Sequence, residues 1–183
     1  MRRRGSGDLH TIDPRDWAVM PTSPVTAVIT EAKISADPRR IAVIEQALGW
    51  LRTPYHHMAR VKGVGIDCLT LLAEVYERAG VIPHVEVPFY PPDWNLHRDA
   101  ERYLDGVMQY AREIPTVDNA NRPQPGDIAV FKFGRCFAHG AIVVQWPRLI
   151  HAWHNAGVVY ADATQGQLAE RPVRIFDPFS AAN

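Results

Sequence analysis

The chain has 183 residues and a mass of 20.6 kDa, which at roughly 150 residues per domain leaves room for one catalytic core and not two. Its 46% hydrophobic and 22% charged residues are those of an ordinary soluble globule, excluding disordered, collagen-like and coiled-coil chains. Twenty basic residues balance twenty acidic ones, so no global field exists to hold nucleic acid or an anionic membrane, and neither partner is expected.

Residues 1–36 show no sustained periodicity and are punctuated by Pro14, Pro21 and Pro24, so an extended arm is expected there. Gly5, Ser6, Gly7, Asp8 and His10 follow the Arg2-Arg3-Arg4 run where a secretory signal needs an apolar stretch, so no export signal is expected. No apolar run approaches the roughly 18 residues of a membrane span, and no membrane insertion is expected. Asp37-Pro38 is a helix start, and Ile41, Ile44, Leu48 and Leu51 recur at helical spacing, predicting a helix over 38–51. A second helix is predicted from Asp67, with Cys68, Leu71, Leu72, Val75, Tyr76 and Ala79 on one face and Gly80 as its stop. Prolines 88, 91 and 92 make Val87–Trp94 a loop, predicted to border a substrate cleft. Leu96, Ala100, Tyr103, Leu104, Val107, Met108 and Ala111 then define a third helix.

From Gly126 the pattern changes to short β-rich runs: Ile128–Phe131, Gly140–Gln145, Leu149–Ala152, Val158–Ala161 and Val173–Phe176. Helices followed by strands predict an α+β domain over 37–183, with N-terminal helices packed on a central antiparallel sheet of about five strands.

Two cysteines, Cys68 and Cys136, are too few for a disulfide scaffold. Cys68 falls in the first turn of the second helix, where free amides and the helix dipole favour a thiolate. Its alternative is a small buried hydrophobe on the apolar face. His139 and His151, twelve residues apart with a turn at Trp146-Pro147-Arg148 between them, are placed to reach neighbouring strands, one as base to the thiol and the other orienting it. Cys136, His139, His151 and His154 also admit a zinc tetrad on paper, but no Cys-x-x-Cys pair supports it, so no metal is expected.

Five blocks, taken in order, carry a resemblance. They are Thr53-Pro54-Tyr55, Gly65-Ile66-Asp67-Cys68, Tyr76-Glu77-Arg78-Ala79-Gly80, Pro125-Gly126-Asp127-Ile128-Ala129-Val130-Phe131, and Ala138-His139-Gly140-Ala141-Ile142-Val143 with Leu149-Ile150-His151-Ala152. Over roughly 40–152 the chain resembles the NlpC family of papain-like cell-wall peptidases. Tyr55-His56-His57 and Pro91-Pro92-Asp93-Trp94 resemble the versions found in phage and prophage tail modules.

The resemblance implies a papain-like fold and a catalytic triad of Cys68 as nucleophile, His139 as base and His151 as its orienting group. It also implies a Tyr55 hydroxyl pointing into the site and an Asp67 that recognises a substrate amine, a carboxylate for which helix capping is the alternative role. Amides at the start of the Cys68 helix would meet the oxyanion, and no cofactor is implied. The substrate implied is the peptidoglycan stem peptide, cut through a thioester. The protein would be made in the host cytoplasm and carried in the virion tail, with residues 1–36 contacting other tail-tip subunits. The alternative is a structural tail-tip component with a vestigial site. Leu69 and Thr70 stand where many members have serine and glycine. His57 and Met58 replace a common Gly-Gly, and Arg52 replaces the usual glycine before Thr53.

Overall fold

The computed structural model describes residues 37–91, 101–115 and 122–180, so the arm expected at 1–36 lies outside the described residues. Helix α1 spans Pro38–Gly49, started by the Asp37 carboxylate accepting from the Arg39 N–H at 2.9 Å. It stops two residues before Leu51, because the Trp50 N–H closes onto the Ala47 and Leu48 carbonyls and Arg52 then turns left-handed at φ 69°. Helix α2, Cys68–Arg78, carries a reciprocal capping box: Asp67 accepts from the Thr70 N–H while the Thr70 hydroxyl accepts from the Asp67 N–H. Helix α3, Arg102–Met108, is shorter than the pattern through Ala111, since the Tyr110 and Ala111 amides both close onto the Val107 carbonyl.

A two-residue pair, β1 (Arg60–Val61) and β2 (Gly65–Ile66), precedes α2. The main sheet is antiparallel and has six strands, not five. They are β3 (Arg112–Ile114), β4 (Ile128–Phe133), β5 (Cys136–Gln145), β6 (Arg148–Trp153), β7 (Gly157–Asp162) and β8 (Val173–Asp177), in the order β3-β8-β4-β5-β6-β7. The additional strand, β3, has only three residues and follows the helical run directly, too short for an alternation to show. It holds the sheet edge through its ladder with β8 and the Glu113–Arg174 ion pair.

The alternation of β-strand side chains divides the core between the two faces of the sheet. On one face Ile128, Val130, Ile142, Val144 and Ile150 pack with Val43 and Ile44 of α1 and Leu71, Leu72 and Val75 of α2. On the other, Ala129, Phe131, Ala141, Val143, Leu149 and Ile175 form a smaller core with Leu168. Arg40 ties α1 to the sheet, donating to Asp127 at 2.7 Å, to the Pro125 carbonyl at 2.8 Å and to Asp177 at 3.2 Å. These packings set the N-terminus of α2 against β5, where the candidate residues gather. No helix among the described residues is long and apolar enough to cross a membrane.

Candidate active site

Cys68 is the first residue of α2, but the free amides expected beside it are occupied. Asp67 Oδ1 accepts from the Leu69 N–H at 3.1 Å and the Thr70 N–H at 2.9 Å. Oδ2 accepts from the Met58 N–H at 2.7 Å and the Tyr90 hydroxyl at 2.5 Å, with His57 Nδ1 3.4 Å away. Met58 delivers its amide from a left-handed backbone at φ 58°, the conformation a glycine adopts without strain. The capping role expected as the alternative for Asp67 is therefore the one formed. The carboxylate is 1% exposed, its oxygens are partnered by the chain itself, and a substrate amine finds no open acceptor there.

The expected thiolate is corrected as well. Burial pushes the Cys68 thiol up to about 12, and the negative charge of Asp67 adds to the rise, while the Gly140 N–H and the Tyr103 hydroxyl act in the opposite direction. The helix start lowers this thiol only through the Cys68 N–H, an effect smaller than burial and the Asp67 charge, because the carboxylate has taken the Leu69 and Thr70 amides.

Three phenols surround the sulfur. Tyr55 lies before β1, joined to Ile66 by a bridge, and its phenol is raised first by burial and then by the charges of Cys68 and Asp67 near it. Tyr90 and Tyr103 are raised by burial too, with Cys68 among the further causes for each. Tyr103 donates to the Cys68 carbonyl at 3.2 Å. Tyr90 was expected only as part of an apolar cleft wall, and Tyr103 was not a site candidate. Tyr103 falls on the apolar face of a helical pattern and Tyr90 in a proline-rich loop, and only the folded chain brings them to α2. The loop does border the site through Tyr90, while Phe89 is 80% exposed and Pro92, Asp93 and Trp94 lie outside the described residues.

The two histidines meet: His139 Nε2 and His151 Nδ1 are 2.8 Å apart, with Phe133 and Trp153 against the His139 ring. Local backbone irregularity allows this. Pairing of β4 with β5 skips Ala138, and the pairs of β5 with β6 start at Ile142 and Ile150, leaving the strands apart where the imidazoles stand. Burial lowers both, His151 to about 4 and His139 well below its ordinary value, the latter further by His151 and Arg171. Both rings are therefore neutral near pH 7.

The structure brings the imidazoles together and bonds neither to the thiol. His139 shares its face of β5 with Ala141 and Val143 of the smaller core, whereas the next residue, Gly140, faces Leu72 and Tyr103 and offers its N–H to the sulfur. The imidazole and the sulfur therefore stand on opposite faces of β5, the sulfur with the helix-side core. The zinc tetrad is not assembled: His154 bonds Asn155 at 2.7 Å and lies against Tyr55, and no three His, Cys, Asp or Glu side chains among the described residues are grouped to hold a metal.

Solved structures provide the comparison that decides the architecture. NlpC1 of Trichomonas vaginalis superposes with a TM-score of 0.56 at 19% identity over 79% of this chain and 45% of that one. The NlpC/p60 domain of the peptidoglycan hydrolase SagA gives 0.51 at 16% identity over 74% and 97%. An NlpC/P60 family protein of Bacillus cereus gives 0.51 at 18% identity over 74% and 39%. The chain has the NlpC-type fold. It spans less than half the length of the Trichomonas and Bacillus proteins. No family model and no curated protein matches the sequence, so the NlpC likeness is one of fold. In that α+β papain-like fold, α2 is the helix that carries Cys68, and β5 and β6 are the strands that carry the imidazole pair.

Proposed function

We propose that the protein is a cysteine hydrolase of peptidoglycan, an endopeptidase that cuts stem-peptide amide bonds. The observation that carries this reading is the His139 Nε2–His151 Nδ1 bond, adjacent in sequence to the Gly140 N–H that meets the Cys68 sulfur, in an NlpC-type fold. With Nε2 engaged, Nδ1 of His139 is the ring nitrogen left for the thiol. Reaching the thiol requires the His139 ring to turn to the α2 face of β5, and the Ala138 bulge one residue before it is where the strand re-aims a side chain.

The chemistry is acyl transfer. His139 takes the Cys68 proton as sulfur bonds to the substrate carbonyl carbon. The oxyanion is met by the Cys68 N–H, the first-turn amide that Asp67 does not use, and by the Tyr55 hydroxyl. His139 then protonates the leaving amine as the C–N bond breaks, giving a thioester. Water, deprotonated by His139, hydrolyses the thioester to a carboxylic acid and restores the thiol. A thiol near 12 paired with neutral imidazole makes proton transfer part of the attack and not a step completed beforehand. His151 orients the base without exchanging a proton with substrate.

The setting we propose is a phage tail, where wall cleavage lets the tail pass and residues 1–36 contact neighbouring tail-tip subunits. Sequence blocks support this through Tyr55-His56-His57, and SagA, similar in fold, is by name a peptidoglycan hydrolase. A second reading, a structural tail-tip component with an inactive site, is favoured by one observation: the thiol and His139 are not bonded. Mass analysis of peptidoglycan treated with purified protein separates the two. Stem-peptide fragments released by the native chain and not by Cys68→Ala establish the hydrolase, whereas no release by either establishes the structural role.

A further inference from the structure

The strap from Val85 to Pro91 is fastened beside the nucleophile by one residue. The Tyr90 hydroxyl donates to Asp67 Oδ2 at 2.5 Å, its carbonyl accepts from His57 Nε2 at 2.7 Å, and its ring stands edge-on to the His57 ring with centroids 4.7 Å apart. Upstream the strap is held as well, the Val85 N–H donating to Glu77 and the Val85 carbonyl accepting from Arg60.

On its other side the strap lines a cavity of about 740 Å³, whose wall includes Leu69, Leu72, Val87, Phe89, Tyr90 and Tyr103. Tyr90 and Tyr103 separate this apolar space from the sulfur. Among the described residues Asp67 is the carboxylate whose charge acts on the thiol, and the cavity wall beside it is mostly phenol and hydrocarbon, with Glu86, Arg102 and Asp105 also on it.

We infer that Tyr90 is a specificity-determining residue, its hydroxyl occupying the acceptor through which Asp67 would hold an ammonium group, so that the site selects acyl donors uncharged next to the scissile carbonyl. This rests on the hydrolase reading, with Cys68 as the reacting atom, and adds the substrate class. A carboxylate this close to a nucleophile holds a cation most tightly in direct contact, and less tightly when a buried hydroxyl already occupies the contact position. A peptide whose amino terminus is blocked by an amide meets neutral surface. One bearing a free α-ammonium has to displace a 2.5 Å hydrogen bond and a strap tied at both ends.

The test reads the thiol without requiring turnover. Cys68 of the full chain is modified with 2-aminoethyl methanethiosulfonate, which is cationic, and methyl methanethiosulfonate, which is neutral. Peptide mass mapping separates Cys68 from Cys136, which is buried. Tyr90→Phe keeps the ring and removes the hydroxyl, and is expected to raise the cationic-to-neutral rate ratio about tenfold. Tyr90→Ala, which removes the ring as well, is expected to raise it at least as far. An unchanged ratio in both variants overturns the inference, as does a rise that persists when Asp67→Asn is added. In parallel, turnover of one peptide with a free and with an acetylated amino terminus is expected to favour the acetylated form in the native chain and to lose that preference in Tyr90→Phe. If the labelling ratio shifts but neither peptide is cut, the hydrolase reading fails and the substrate class with it, while the blocking of Asp67 by Tyr90 stands. If both are cut and the ratio is unmoved, the inference fails and the hydrolase reading stands.

Discussion

His139 Nε2 and His151 Nδ1 stand 2.8 Å apart where β5 and β6 have ceased to pair, and burial keeps both rings neutral near pH 7. A histidine whose folded value is lowered binds its proton more readily in the unfolded chain, so stability is present above the unfolded value and is lost as the pH falls towards the folded one. For His151, lowered by burial from 6.5 to about 4, the loss over that window is roughly 3 kcal/mol, and His139 adds to it in the same direction. Denaturant unfolding at pH 7, 6, 5 and 4 is expected to show this decline. His151→Asn should flatten it, and stability equal at pH 7 and pH 4 in the native chain would refute the neutral pair.

The same pair separates an orienting role from a structural one. Asn at position 151 still offers an oxygen and an N–H to the His139 ring, whereas Ala offers neither. We expect His151→Asn to retain several-fold more peptide hydrolysis than His151→Ala at equal stability, measured as kcat. Equal losses would mean that His151 acts only in packing.

Arg40 is the polar tie of the helical layer. Asp127 is fully buried, and burial outweighs its partner in setting the direction of its shift, which is upward. Arg40→Ala removes that partner and leaves a carboxylate uncompensated, at a cost of about 3–5 kcal/mol. Adding Asp127→Asn should recover part of the loss, and thermal melts of the single and double variants measure both.

Arg52 and Met58 stand at two of the four positions where glycine is replaced relative to the NlpC sequences the chain resembles, and both have positive φ, 69° and 58°. A left-handed L-residue costs roughly 1–2 kcal/mol, partly offset because glycine loses more freedom on folding. Arg52→Gly and Met58→Gly are each expected to raise stability by about 0.5–1 kcal/mol, visible as a higher Tm. A lower Tm in both would show that contacts of the larger side chains outweigh the backbone strain.

What the sequence made legible was what local pattern encodes. The helical spacing from Cys68 to Ala79 located α2, since a helix buried on one face must repeat apolar residues at that period. The even separation of His139 and His151 across a short turn anticipated their meeting. Convergence of separate segments left no such mark. Tyr90 from a strap, Met58 from a left-handed turn and the Asp67 cap meet at one oxygen, and nothing periodic in any of the three announces it. For the same reason the thiol appeared activated: its helix position was correct, but the competition of Asp67 for the Leu69 and Thr70 amides is a matter of side-chain placement. Strand β3 escaped notice for want of length.

The account depends most on the thioester at Cys68. Acid-quenched mixtures of the protein with an amide-blocked stem peptide, analysed by mass spectrometry, should show a covalent increment equal to the acyl portion. The account predicts this increment on Cys68 in the native chain and its absence in His139→Ala, while peptide release without any adduct on Cys68, or an adduct on Cys136 instead, would contradict it.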